Sequence, residues 1–230
     1  MRVGVITFPG SLDEQSTSRA VRAVGADPVE LWHADDNLAR VDAVILPGGA
    51  AHGNYLRPGA LAAQTPVVKR LLSAAESGLP VLGINNGFQV LCEAGLLPGA
   101  LVANRGARFV RADARVRIEN NQTPFTSEFG SGDEIILPVR TGFGAFVADR
   151  DTITQIEDDG QVVARFSGED PVGSTSGIAA VRNADSNVVG IVASPEHAVD
   201  STFGPVDPET RLPAPAEGLT FFSSVLATFM

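Results

Sequence analysis

The chain has 230 residues, 44% of them hydrophobic and 19% charged, with a formal net charge of -10 and a pI near 4.7. This composition excludes a disordered chain, and the acidic balance excludes nucleic acid or an anionic membrane surface as partner, because either would be repelled. The length suits one α/β domain spanning 1–230.

No apolar run approaches the ~18 residues of a membrane span, and no signal-peptide pattern precedes the first apolar run. The single cysteine, Cys92, has no partner for an internal disulfide, so a cytoplasmic location is expected. His33, His52 and His197 are the only histidines and lie far apart. They show no metal-ligand spacing, so neither a metal nor a cofactor is expected.

Residues 3–8 are an apolar run stopped by Pro9-Gly10 and read as a first strand; a polar helical stretch follows through Arg22, then a second strand at 28–32. A third, buried-type strand at 41–46 ends abruptly in Pro47-Gly48-Gly49. A helix is expected over about 59–77, a fourth strand over 80–84 and a helix over 86–94. Continuous apolar strands separated by helices indicate a mostly parallel sheet covered on both faces, a three-layer α/β fold. Such sheets bind ligands at the carboxyl ends of their strands. Shorter strand-like segments at 114–119, 135–139, 162–166, 178–182 and 188–193, with Gly and Asp/Asn turns between them, predict a partly antiparallel extension. The proline-rich stretch 201–217 reads as a surface excursion before a terminal helix at 218–229.

The segment 80–89, Pro-Val-Leu-Gly-Ile-Asn-Asn-Gly-Phe-Gln, is a strand, a sharp turn and a helix start, with Gly83 and Gly87 two residues either side of Asn85. This is the pattern of a nucleophile elbow, which presents one side chain at the top of a sheet. Asn tolerates the positive φ of such a turn. Its carboxamide is no nucleophile near neutral pH.

With its flanks, this segment resembles the elbow of class I glutamine amidotransferases, which have a flavodoxin-like fold. More specifically, it resembles the small glutaminase subunits of phosphoribosylformylglycinamidine (FGAM) synthase. The similarity runs along the chain: VITFPGS at 5–11, LPGG at 46–49, YLRPGA at 55–60, PVLGINNGFQVLCEAGLLPG at 80–99, IENNQTPFTS at 118–127 and SPEHAVD at 194–200.

That resemblance implies an elbow cysteine where this chain has Asn85. It also implies a Pro-His-Pro-Glu base segment where this chain has Ala193-Ser194-Pro195-Glu196, so that only the acid, Glu196, is retained. Without nucleophile and base, a γ-glutamyl thioester has no route. The family's Phe-Ser-Tyr-Gly-Asp-Tyr segment is matched by Ala50-Ala51-His52-Gly53-Asn54-Tyr55, and its Gly-Glu-Gly by Gly142-Phe143-Gly144. A lost carboxylate removes a charge-assisted contact to a substrate ammonium worth ~1.5–3 kcal/mol.

The expected cradle comprises Gly48, Gly49 and the amide of Asn86 as an oxyanion hole, with Gln89, His52 and Phe143 beside it; Gly48, Gly49, Gly83 and Gly87 are explained first by the backbone angles the fold needs. Cys92, ~10.5 Å along the helix from the elbow, is expected to be a core thiol. His197 and His52 are expected to have no catalytic part, and His52 to lie on the surface.

The resemblance implies a large FGAM-synthase-like synthetase subunit as partner, and a small accessory subunit as a further one. The leading expectation is a glutaminase-deficient subunit of such an amidoligase in purine or purine-like biosynthesis. The alternative is a genuine glutaminase subunit supplying ammonia, with an altered active site. A repurposed hydrolase using Ser194 or His52 finds no support, because Ser194 lies at a strand end and not on an elbow.

Overall fold

A computed structural model of the chain describes residues 1–229. The apolar runs of the first hundred residues become four strands with helices between them: β1 (Arg2–Thr7), α1 (Glu14–Ala23), β2 (Asp27–Trp32), β3 (Ala43–Leu46), α2 (Pro66–Glu76), β4 (Val81–Ile84) and α3 (Asn86–Glu93). β3 and β4 are buried along their whole length, as strands covered on both faces must be.

Two boundaries depart from the sequence expectation. The third strand starts at Ala43, because the Val41 amide donates to the Leu38 carbonyl in a turn. The helix expected from residue 59 begins only at Pro66, which fits a helix as its first residue but not as its interior. The preceding Gly59 instead lies against α3: a Cβ there would stand 2.7 Å from the carbonyl carbon of Gln89.

The second half adds β5 (Ala100–Val102), β6 (Val110–Ile118), β7 (Glu134–Thr141), β8 (Ala145–Val147), α4 (Arg150–Asp158), β9 (Val162–Phe166), β10 (Ile178–Arg182), β11 (Val188–Ile191) and α5 (Thr220–Ala227). The helix α4 was not expected from the sequence; it turns a narrow apolar face, Ile153 and buried Ile156, onto the core. Its start is fixed by the Asp149 carboxylate, which accepts from the Thr152 amide at 2.9 Å. The stretch 201–217 does run over the surface and is pinned to β6 by the Arg115–Asp207 ion pair at 2.7 Å.

Nine strands form one sheet in the order β2-β1-β3-β4-β11-β10-β9-β6-β7. The block from β2 to β11 is parallel, and every later pairing is antiparallel. The anticipated antiparallel extension is therefore present, joined to the parallel block through β11. Strand order reverses between β1 and β3, so their carboxyl ends open a crevice of the kind in which α/β sheets bind ligands. The turns after β1, β3, β4 and β11 all emerge at this edge.

Candidate functional site

The elbow follows from three glycines. A Cβ on Gly87 would stand 2.0 Å from the Leu46 carbonyl oxygen, and one on Gly190 2.1 Å from the Phe88 ring. One on Gly83 would stand 2.8 Å from the carbonyl carbon of Gly87. With no side chains there, α3 starts directly on the sheet and Phe88 is fully buried over β11. Asn85 is left at the apex with φ 50° and ψ -103°, a strained region that non-glycine residues occupy only when their surroundings hold them there.

Asn85 is held from three sides. Its amide donates to the Ile191 carbonyl at 2.8 Å, its carbonyl accepts from the Gln89 amide at 3.2 Å, and its Nδ2 donates to the Arg140 carbonyl at 2.7 Å. The side chain is 7% exposed. Asn86 next to it is equally committed: its Oδ1 accepts from the Ala51 amide at 2.8 Å, and its Nδ2 donates to Gln89 Oε1 at 2.6 Å. Gln89 Nε2 donates in turn to the Phe143 carbonyl at 2.7 Å. A single chain of carboxamides thus ties the post-β3 loop, the elbow helix and the 142–144 loop together. That last loop is further fixed by buried Asn104, which accepts from the Gly144 amide at 2.8 Å and donates to the Thr141 carbonyl.

Gly48 and Gly49 have a packing reason to be glycine. A Cβ on Gly49, whose φ is +144°, would meet the Leu12 amide nitrogen at 2.8 Å, and one on Gly48 would meet Asp13 Oδ2 at 2.5 Å. The Gly48 carbonyl accepts from the amides of both Leu12 and Asp13. Asp13 and Asn85 thus flank Gly48 together, the Asn85 Cβ lying 3.7 Å from the same point.

From the other side comes the turn after β11. The Ser194 amide donates to the Pro138 carbonyl at 2.8 Å, and the residue is buried. Glu196 is completely buried, and neither of its carboxylate oxygens is in hydrogen-bond geometry with a donor among the described residues, although the neighbouring Ser194 side chain favours its charged form. Burial, then the nearby Asp13 carboxylate, push its carboxyl up to about 8.

The His197 Nε2 lies 2.8 Å from Asp13 Oδ1 and 3.7 Å from Glu196 Oε1. Asp13 and His197 therefore also belong to this edge, beside the Ser194 and Glu196 that the sequence reading drew from the turn after β11. Asp13 is hidden in the sequence because it directly precedes α1, where Asp reads as a helix cap. Histidine spacing gave no ligand set, yet the fold assembles Asp13, Glu196 and His197 from two remote segments.

His52, expected on the surface, is half-buried instead. Its ring packs edge-on to Phe8 and His33 with centroids 6.2 and 5.1 Å away. Burial and the His52 neighbour lower the His33 pKa. Cys92 is mostly shielded, its Sγ 3.8 Å from the Pro98 carbonyl, and burial pushes its thiol pKa up. Among the described residues no helix is long and apolar enough to cross a membrane.

Comparison with known proteins agrees with this architecture. The family model of the CobB/CobQ-like glutamine amidotransferase domain matches residues 1–227. The chain is 51% identical over its full length to the phosphoribosylformylglycinamidine synthase subunit PurQ of Frankia casuarinae, covering 94% of that protein. It is 48% identical over its full length to the same subunit of Nocardia farcinica, covering 98% of it. Among solved structures, PurLQS from Thermotoga maritima contains a chain that superposes with a TM-score of 0.88 at 36% identity, covering 100% of this chain and 99% of that one. The chain belongs to the CobB/CobQ-like glutamine amidotransferases and, within them, to the family of PurQ-type subunits of phosphoribosylformylglycinamidine synthase.

Proposed function

We propose that this chain is the amidotransferase-fold subunit of an FGAM-synthase-type amidoligase, that it acts as one domain docked on a large synthetase subunit, and that it does not hydrolyse glutamine itself. One observation carries the last part: the side chain at the strained apex is Asn85. Its carboxamide is spent on the Arg140 carbonyl and offers no electron pair for attack on a carbonyl carbon. Ser194, buried at the position where the resemblance requires an imidazole, cannot take up a proton near neutral pH. Gly48, Gly49 and the Asn86 amide would then be a retained cradle, and Asn85, Ser194 and Glu196 a vestigial triad. Phe143 would offer the substrate ammonium an apolar ring where the family has a carboxylate.

A second reading, a working glutaminase subunit that supplies ammonia, is favoured by the names of relatives about half identical to this chain. Those names support the subunit assignment and favour active chemistry; the apex chemistry opposes it. Two measurements separate the readings. Gel filtration with the large synthetase subunit of the same organism tests docking, and the absence of a complex sinks the subunit assignment. Ammonia release from glutamine, with the chain free and in that complex, tests the chemistry. Steady turnover above background sinks the glutaminase-deficient reading and establishes the second.

A further inference from the structure

At the carboxyl edge of the sheet, Asp13, Glu196 and His197 each offer one ligand atom, and all three atoms lie within 4.8 Å of one another. Two features show that this cluster is more than chance proximity. Asp13 stands at the N-cap of α1 yet makes no side-chain cap bond; its carboxylate is turned to His197 instead. Glu196 is fully buried with both oxygens unpartnered. A carboxyl so placed keeps its proton until a cation or a metal takes the proton's place. No Lys or Arg side chain among the described residues lies within salt-bridge distance of it, its one such contact being His197.

We propose that Asp13, Glu196 and His197 form a binding site for a divalent transition metal of the zinc class. Ligand atoms around a tetrahedral Zn²⁺ at ~2.1 Å stand about 3.4 Å apart. The observed 2.8 and 3.7 Å separations bracket that value, so small side-chain rotations bring the three atoms onto one ion. Two carboxylates and a neutral imidazole balance a double positive charge. One nitrogen with two oxygens suits zinc or cobalt, whereas calcium and magnesium require all-oxygen shells with more ligands. Glu196 and His197 also line a solvent-open cleft with Arg19 and Phe203, which supplies an entry path and room for a water ligand. The site takes Glu196 from the vestigial triad, so it rests on the reading that this triad does not hydrolyse glutamine.

The test uses the full chain stripped with a chelator. Equilibrium dialysis against Zn²⁺ is expected to load one ion per chain, and Co²⁺ to give the intense visible bands of a four-coordinate ion. Asp13→Asn and His197→Ala should each weaken Zn²⁺ binding at least about tenfold, with circular dichroism verifying that both variants stay folded; Asp13 and His197 are only partly buried. Cys92→Ser and His33→Ala should leave binding unchanged. The proposal is overturned by the absence of stoichiometric uptake at micromolar Zn²⁺, by binding that survives both ligand variants, or by binding lost in Cys92→Ser or His33→Ala.

Discussion

Replacing Gly87 with alanine tests whether close approach of helix and sheet is what holds the apex residue. The added Cβ would stand 2.0 Å from the Leu46 carbonyl oxygen and 2.6 Å from the Leu46 Cβ, whereas ordinary contact starts at 3.4 Å. The oxygen belongs to β3 and cannot rotate away, so α3 must lift by the difference, about 1.4 Å. That displacement breaks the Asn86–Ala51 bond of 2.8 Å and the Gln89–Phe143 bond of 2.7 Å. Overpacking costs ~1–3 kcal/mol and each lost bond ~1 kcal/mol, which gives about 3–5 kcal/mol in all. For a chain of this length the melting temperature should fall by roughly 6–20 °C in calorimetry. Gly78→Ala is the control, because nothing lies within 4 Å of its would-be Cβ, its only penalty being a φ of +90° that Gly87 does not share. It should lose only the ~1–2 kcal/mol of left-handed backbone. If Gly87→Ala costs no more than Gly78→Ala, close packing is not what fixes the elbow.

Four further outcomes follow from the same geometry. Asn85→Cys alone should leave ammonia release from glutamine at background, since no imidazole stands at Ser194; turnover by that single variant would show that Ser194 does not matter. With chelator present, Glu196 should keep its proton in the fold up to about pH 8, against an ordinary value of 4.5. The native state then binds more protons than the unfolded one between those values, so urea stability should fall as pH rises from 5 to 8, by up to about 1.4 kcal/mol per unit, and level off above. Glu196→Gln should flatten that profile, and a wild-type profile that is flat or rises refutes the assignment. Cys92, whose thiol pKa is raised by burial, should react with a thiol reagent at pH 8 only after denaturation; prompt reaction of the native chain contradicts its placement. Arg115→Ala should expose the 201–212 stretch to limited proteolysis while costing less than ~1 kcal/mol in global stability, because the Asp207 pair is partly solvated; an unchanged digest means other contacts hold that segment.

Parallel strands β3 and β4 were legible because they are buried along their whole length and so read as unbroken apolar runs, whereas β11, equally buried, was read with the antiparallel extension although it pairs parallel with β4. Proline and glycine then mark where each strand stops. Legibility failed where a segment's reason lies elsewhere in the fold. The polar helix α4 was missed although Ile153 and Ile156 mark one face three residues apart, because a two-residue apolar face in so short and polar a segment also suits a loop. Pro66 did carry the signal for the start of α2, and the longer helix expected there ignored it. His52 looked like a surface residue because neither Phe8 nor His33, the rings it packs against, is near it in sequence.

The functional edge divides along the same line. What stands at the elbow can be read directly, since the glycines two residues on either side fix where the side chain of Asn85 must stand, whatever the rest of the chain does. What has gathered around it cannot, because Asp13 meets His197 across 184 positions of sequence and no local pattern encodes that meeting. A lone carboxylate before a helix is sufficiently explained as a cap, and a lone histidine after Pro195-Glu196 as a solvated neighbour. Only their shared orientation toward the buried, unpartnered Glu196 removes both explanations. Substitutions at a known position are therefore the weaker guide to what such a site now does, and the groups that converge on it from remote segments are the stronger one.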